Sequence, residues 1–192
     1  MKLAAASIFV AIASACLITA AFASPEKGLE IAIEADSRDK GFGDSTAQIT
    51  MILMDKYGQS TERAIRNRTF EGYNEGDKSL VIFDSPGDVR GTAFLSHTKK
   101  ADTDDQWLYL PALKRVKRIA SSNKAGPFMG SEFSYVDIAS QEVEKYTYNY
   151  LRDEELNGLD CFVVEYHPVD RKSGYKRQIV WLGYFYRSHR NT

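Results

Sequence analysis

Along most of this chain hydrophobic and polar residues alternate with a period of two, which predicts strands; only one short stretch near the front has helical spacing. From Pro25 to Asp36, Leu29, Ala32, Ile33 and the bordering Asp36 recur at helical intervals, with Glu26, Glu30 and Glu34 elsewhere on the surface and Pro25 suited to the first turn. From Ser45 onwards Ala47, Ile49, Met51 and Leu53 share one face and Thr46, Gln48, Thr50 and Ile52 the other. Lys56-Tyr57-Gly58-Gln59 reads as the hairpin connection to a wetter return strand, Ser60 to Glu71. Further strands are predicted at Lys78 to Phe83, Gly91 to Thr98, Gln106 to Leu110, Lys114 to Ile119, Tyr146 to Leu151, Leu159 to His167 and Tyr175 to Trp181. Asn157-Gly158 is the strongest hairpin signal, and Ser134 with Asp137 has the spacing of a helix cap and its reciprocal partner, so one or two helical turns are expected there. Many strands with few helices predict a mainly β fold built on a single curved antiparallel sheet.

The first residues change the picture of the compartment. Lys2, an almost uncharged run from Leu3 to Phe22 and Ala21-Phe22-Ala23 form the pattern of a secretory signal peptide, with cleavage before Ser24. A retained membrane anchor is the competing reading, and Ala13-Ser14-Ala15-Cys16 loosely resembles a lipoprotein cleavage site. Periplasmic localisation follows from the signal-peptide reading. Of the 25 Lys and Arg, Lys2 falls in that segment, leaving 24 against 26 Asp and Glu; this balance gives no reason to expect nucleic acid as a partner. Cys161 would then be the one remaining cysteine, a buried inert thiol in an alternating strand.

Little in the chain specifies catalysis. His97, His167 and His189 are far apart in sequence, no phosphate loop, dinucleotide fingerprint or nucleophile elbow occurs, and Asp102, Asp104 and Asp105 read as a solvated turn. Asp84 and Asp88 read as shaping the turn at Pro86-Gly87. No cofactor and no enzymatic role is expected. Lys114, Arg115, Lys117 and Arg118 form a tight basic cluster, read either as solvated edge residues or as a docking patch for an acidic protein surface or anionic headgroups.

The run Asp104-Asp105-Gln106-Trp107-Leu108-Tyr109-Leu110-Pro111-Ala112-Leu113-Lys114-Arg115-Val116-Lys117-Arg118-Ile119, continued from Ser121 to Asp137, strongly resembles the outer membrane lipoprotein-sorting (LolA-like) family of exported bacterial proteins. The likeness extends from about Leu29 to Trp181. It implies an unclosed antiparallel β-barrel whose concave apolar face is covered by helices and accepts acyl chains. It also implies lipid or lipoprotein acyl chains as cargo, and a membrane exporter of the resistance-nodulation-division type as a partner. The alternative role is an accessory module that docks on such an exporter without carrying lipid. Acyl-facing candidates on the alternating strands are Ile49, Met51, Leu53, Leu80, Ile82, Leu108 and Leu110, with Ile65, Phe94, Val163 and Tyr166 as weaker choices. Members of the family continue past the strand at Gln178 to Trp181 with several more strands. Here the continuation is Leu182-Gly183-Tyr184-Phe185-Tyr186-Arg187-Ser188-His189-Arg190-Asn191-Thr192, expected to be a frameshift or premature stop that could leave a non-functional product. The expected organisation is thus a signal peptide at 1–23, a partial LolA-like domain at 24–181 and an atypical tail at 182–192.

Overall fold

The computed structural model describes residues 24–184; the signal-peptide reading and most of the tail fall outside them. One helix, α1 (Pro25–Arg38), precedes nine strands: β1 (Asp44–Met54), β2 (Ser60–Phe70), β3 (Lys78–Ser85), β4 (Ala93–His97), β5 (Asp105–Leu110), β6 (Arg115–Arg118), β7 (Tyr146–Leu156), β8 (Leu159–Pro168) and β9 (Gln178–Gly183). All neighbouring strands pair antiparallel and neither sheet closes. The expectation of a single sheet is corrected, because the strands form a six-stranded meander, β1 to β6 in order, and a separate three-stranded sheet, β7-β8-β9. The reason is the long connection from Ile119 to Lys145, whose backbone makes only short 3-10 turns and so supplies no strand to join the ladders.

Turn chemistry places the hairpins where the sequence predicts them. Asn157 and Gly158 both take positive φ, 53° and 80°, the backbone that a two-residue hairpin turn demands. The strand before them runs through the acidic stretch to Leu156, further than its composition suggested. At the first hairpin, Asp55 Oδ1 accepts from the amides of Tyr57 and Gln59, both under 3 Å at 2.8 and 2.9 Å. Ser134 and Asp137 do bond reciprocally, Ser134 N and Oγ donating to Asp137 Oδ2 at 2.7 and 2.8 Å, but they close a turn and no helix follows.

The main core lies on one face of the six-stranded sheet. Val81 and Phe83 of β3, Phe94 of β4, Leu108 of β5 and Ile65 of β2 are buried there against Ile119 and Phe128. Phe128 comes from the β6–β7 connection and is fully buried, its ring 5.3 Å from that of Phe94 and 5.4 Å from that of Tyr135. On the same face, Ser79, Ser96 and Gln106 sit opposite one another across β3, β4 and β5, all buried, and Gln106 Nε2 donates to the Tyr135 carbonyl at 3.0 Å. Connection 119–145 therefore covers this face with aromatic rings, beside a polar row that β3, β4 and β5 supply.

The two sheets are tied by polar contacts rather than by strand pairing. Asp104 forms an ion pair with Lys145, the buried Lys124 ammonium donates to the Asp104 carbonyl, and Tyr175 Oη donates to Asp137 Oδ2 at 2.8 Å. Burial lowers the Lys124 pKa. The acidic turn is thus more than a solvated loop. Asp105 pairs with Lys99 and Arg118, and these bonds hold its carboxyl at about 2. A folded-state pKa below the ordinary 3.8 means the pairing stabilises fully above that value and is lost as pH falls towards about 2. Asp105→Asn is expected to flatten the acid limb of stability, read as the difference in urea midpoint between roughly pH 5 and pH 2.5.

Candidate apolar groove along the first helix

Helix α1 is seated by its smallest residues. Ser24 caps it, accepting from Lys27 N at 3.3 Å, and Pro25 takes the first helical position. Ser24 also exchanges two backbone bonds with Tyr150 of β7, at 3.1 and 3.0 Å, fixing the start of the helix on the sheet. One turn on, Gly28 lets the helix backbone approach β7 so closely that a Cβ there would lie 2.7 Å from Tyr150 N. The buried helix positions are Gly28, against the β7 backbone at Asn149 and Tyr150, and Ala32, which packs with Tyr148, Val164 and Tyr166.

Two of the larger aliphatic residues of the helix, Leu29 and Ile33, are left outside this contact, while Ile31 packs partly against it. Leu29 is 43% exposed and Ile33 50% exposed, although their spacing is that of a core-facing stripe. Together with Ile31, with Phe162 and Leu182 of the three-stranded sheet and with Tyr184 just after β9, they line an open groove of about 730 Å³. That size falls in the range of about 300–1,000 Å³ common to small-ligand sites. Glu26, Glu30 and Glu34 edge the groove on the helix side, and Asp153 on the sheet. Lys27 is drawn inward, its Nζ 3.4 Å above the centre of the Tyr150 ring. Burial and a hydrogen bond to Asp153 push the Tyr184 hydroxyl up to about 12, so it stays protonated at any physiological pH.

The acyl-facing candidates read from the strands are placed elsewhere and do not converge. Ile49, Met51 and Leu53 line one side of the edge strand β1, where Met51 packs on the main core and Ile49 is 44% exposed. Leu108 is core and Leu110 packs against it. Leu80 and Ile82 point to the opposite face, because their neighbours Val81 and Phe83 take the core side. The seven residues thus occupy both faces of a sheet whose inner side Phe128 and Tyr135 already fill, so they form no common trough. Of the weaker choices, Ile65 and Phe94 are main core, Val163 is buried and Tyr166 lies under α1.

The basic cluster lies at the sheet's other edge. Lys114 takes a left-handed φ of 47° before β6, and Arg115, Lys117 and Arg118 are exposed. Arg115 and Lys117 sit opposite Leu110 and Leu108, while Arg118 reaches back to Asp105 on the other side. The four therefore divide between two faces, as their alternation predicts. Cys161 is buried, its Sγ 3.3 Å from the Leu159 carbonyl. Among the described residues no group of three or more His, Cys, Asp or Glu side chains is arranged to hold a metal ion.

With the groove placed, known proteins supply the context. The structure is similar to that of an outer membrane lipoprotein-sorting protein domain from Vibrio parahaemolyticus. The two share 57% sequence identity over 83% of this chain and 68% of that one, with a TM-score of 0.81. The chain belongs to the outer membrane lipoprotein-sorting family. A DUF1329 family protein from Desulfovibrio piger is similar too, with 31% identity, 82% of this chain and 68% of that one covered, and a TM-score of 0.76. A LolA superfamily protein from Nitrosomonas europaea, 20% identical with a TM-score of 0.58 over 81% of this chain and 66% of that one, shares the fold. A family model described as an uncharacterized protein matches residues 75–184, and no curated protein matches. In this member of the family the described residues form open antiparallel sheets with α1 seated on the smaller one, and α1 supplies the groove residues Leu29, Ile31 and Ile33.

Nothing in strand periodicity could have found this groove. Its helix wall was visible as an amphipathic stripe, but the stripe is ordinarily a core face. Only the short contact at Gly28 shows that Gly28 and Ala32, and not Leu29 and Ile33, face the sheet.

Proposed function

We propose that the protein binds an acyl chain of a lipid or lipoprotein in the groove along α1, and moves it through the periplasm without catalysing a reaction. The observation that carries this reading is the exposure of Leu29 and Ile33 beside an open apolar groove on a helix that seats itself by glycine and alanine. Hydrocarbon transfer from water gains about 0.8 kcal/mol per methylene, so ten buried methylenes supply on the order of 8 kcal/mol before the costs of association. Hydrophobic transfer alone then gives useful affinity, and a groove open along its length allows release. The family's lipoprotein-sorting description supports the same reading.

A fluorescent fatty acid titrated into the purified protein tests it. Wild type is expected to bind saturably. The double variant Leu29→Glu with Ile33→Glu is expected to weaken binding at least tenfold, about 1.4 kcal/mol or more, with thermal stability little changed because both positions are exposed. Leu80→Glu with Ile82→Glu, on the outer face of the other sheet, is expected to leave binding intact. No binding by wild type, or equal binding by the groove variant, overturns the assignment.

A further inference from the structure

At the C-terminal end of α1 lies a second cavity of about 220 Å³, lined among others by Asp36, Asp39, Glu142, Tyr146, Tyr148 and Tyr166. It adjoins a hollow of about 310 Å³ that shares Asp36, Asp39 and Glu142 and adds Glu71 and Asp77. Most of these carboxylates are engaged. Asp36 pairs with Lys40. Glu71 accepts the amides of Gly41 and Gly43 at 2.7 and 2.8 Å, and Asp77 accepts from Gly72 N at 3.0 Å and Ser140 Oγ at 3.2 Å.

Glu142 differs. It is 8% exposed and borders both cavities, yet among the described residues its carboxylate accepts no hydrogen bond and has no base within ion-pair distance. Burial raises its pKa, the nearby Asp77 adds to the rise, and Lys145 opposes it. A buried carboxylate without a donor is unfavourable unless it takes up a proton or a cation. The helix ends here with its negative pole, and Asp39 at its cap makes no side-chain ion pair among the described residues. The cations nearby are held by other partners: Lys40, which lines the adjoining hollow and lies in the field of Glu142, by Asp36, Lys100 of the same hollow by the Tyr73 carbonyl, and Lys145 by Asp104. Aromatic rings complete the wall. Tyr146 and Tyr148 lie 5.7 and 4.7 Å from Tyr166, ring centre to ring centre. The carboxylates are not arranged to hold a metal ion, whereas tyrosine rings with one or two carboxylates match a bulky, weakly hydrated positive group.

We propose that this cavity is a binding site for an organic ammonium group, held by Glu142 and Asp39 against the rings of Tyr146, Tyr148 and Tyr166. It is separate from the apolar groove and does not depend on acyl binding. The group arrives either as a free amine or as the head of an amino lipid, and the two sources are distinguishable.

The test is thermal unfolding and calorimetric titration of the protein with choline, with ethanolamine and with lysophosphatidylethanolamine, against sodium and magnesium chloride at matched ionic strength. Choline or ethanolamine is expected to raise the Tm saturably, and magnesium is not. A response to lysophosphatidylethanolamine with none to the free amines identifies the source as a lipid head, provided Glu142→Gln abolishes that response too. Glu142→Gln is expected to raise the Tm of the unliganded protein, since a buried charge is removed, while weakening the ammonium response at least tenfold. A merely structural Glu142 would not separate those two readouts. Tyr166→Leu is expected to weaken binding in the same direction. The proposal is overturned if no ammonium compound acts, if magnesium acts equally, or if Glu142→Gln responds as wild type does.

Discussion

Phe128→Ala is expected to lower stability by about 3–5 kcal/mol, the cost of emptying a fully buried aromatic site. The ring touches three others, 5.9 Å from Phe83, 5.3 Å from Phe94 and 5.4 Å from Tyr135, so its loss opens a hole between the β6–β7 connection and the six-stranded sheet. In a domain of this size each kcal/mol moves the midpoint by roughly 2–4 °C, which puts the variant's Tm about 6–20 °C below wild type. Phe133, only five positions on, is 53% exposed, and Phe133→Ala should stay within about 0.5 kcal/mol. Circular dichroism melts of the pair check this. A loss below about 1 kcal/mol at Phe128 would show that the connection is not part of the core.

Gly28→Val is the second large effect. An added Cβ meets Tyr150 N at 2.7 Å and the backbone of Asn149 at 3.0 Å, atoms that cannot turn aside as a side-chain tip would. The helix must retreat from β7, at about 1–3 kcal/mol of overpacking, and the groove walls separate as it does. Both stability and fatty-acid binding are expected to fall, and limited trypsinolysis after Lys27 should speed up as α1 loosens. Gly87→Val is the control, since a Cβ there meets nothing within 4 Å. Unchanged binding in Gly28→Val would separate the groove from the seating of α1.

Much of the strand pattern was legible because alternation is local. Ala47, Ile49, Met51 and Leu53 do share a side of β1, Asn157-Gly158 does turn a hairpin, and the reciprocal bonds of Ser134 and Asp137 form as their spacing requires. The phase of an uninterrupted apolar run was not legible. In Leu80-Val81-Ile82-Phe83 every residue is hydrophobic, and the aromatic residues that select Val81 and Phe83 for the core arrive from a serine-rich loop without strand periodicity. That loop also hides the break between the two ladders. The groove was out of reach for a related reason: whether α1 buries Leu29 or Gly28 is decided by a strand more than a hundred residues away. Glu142 shows the same limit, since an isolated glutamate carries no sign of burial until Asp77 and the tyrosines are placed around it.

The seating of α1 on β7 has a bearing on assembly order. The six-strand meander joins only neighbours in sequence and pairs as soon as each hairpin is made, whereas the helix, which precedes all nine strands, must wait for β7, more than a hundred residues later, before it can dock. Until then its small-residue face and its leucine and isoleucine stand in water together. The groove along α1 therefore takes shape only after the six-stranded sheet is complete, since its second wall comes from β8 and the residues after it.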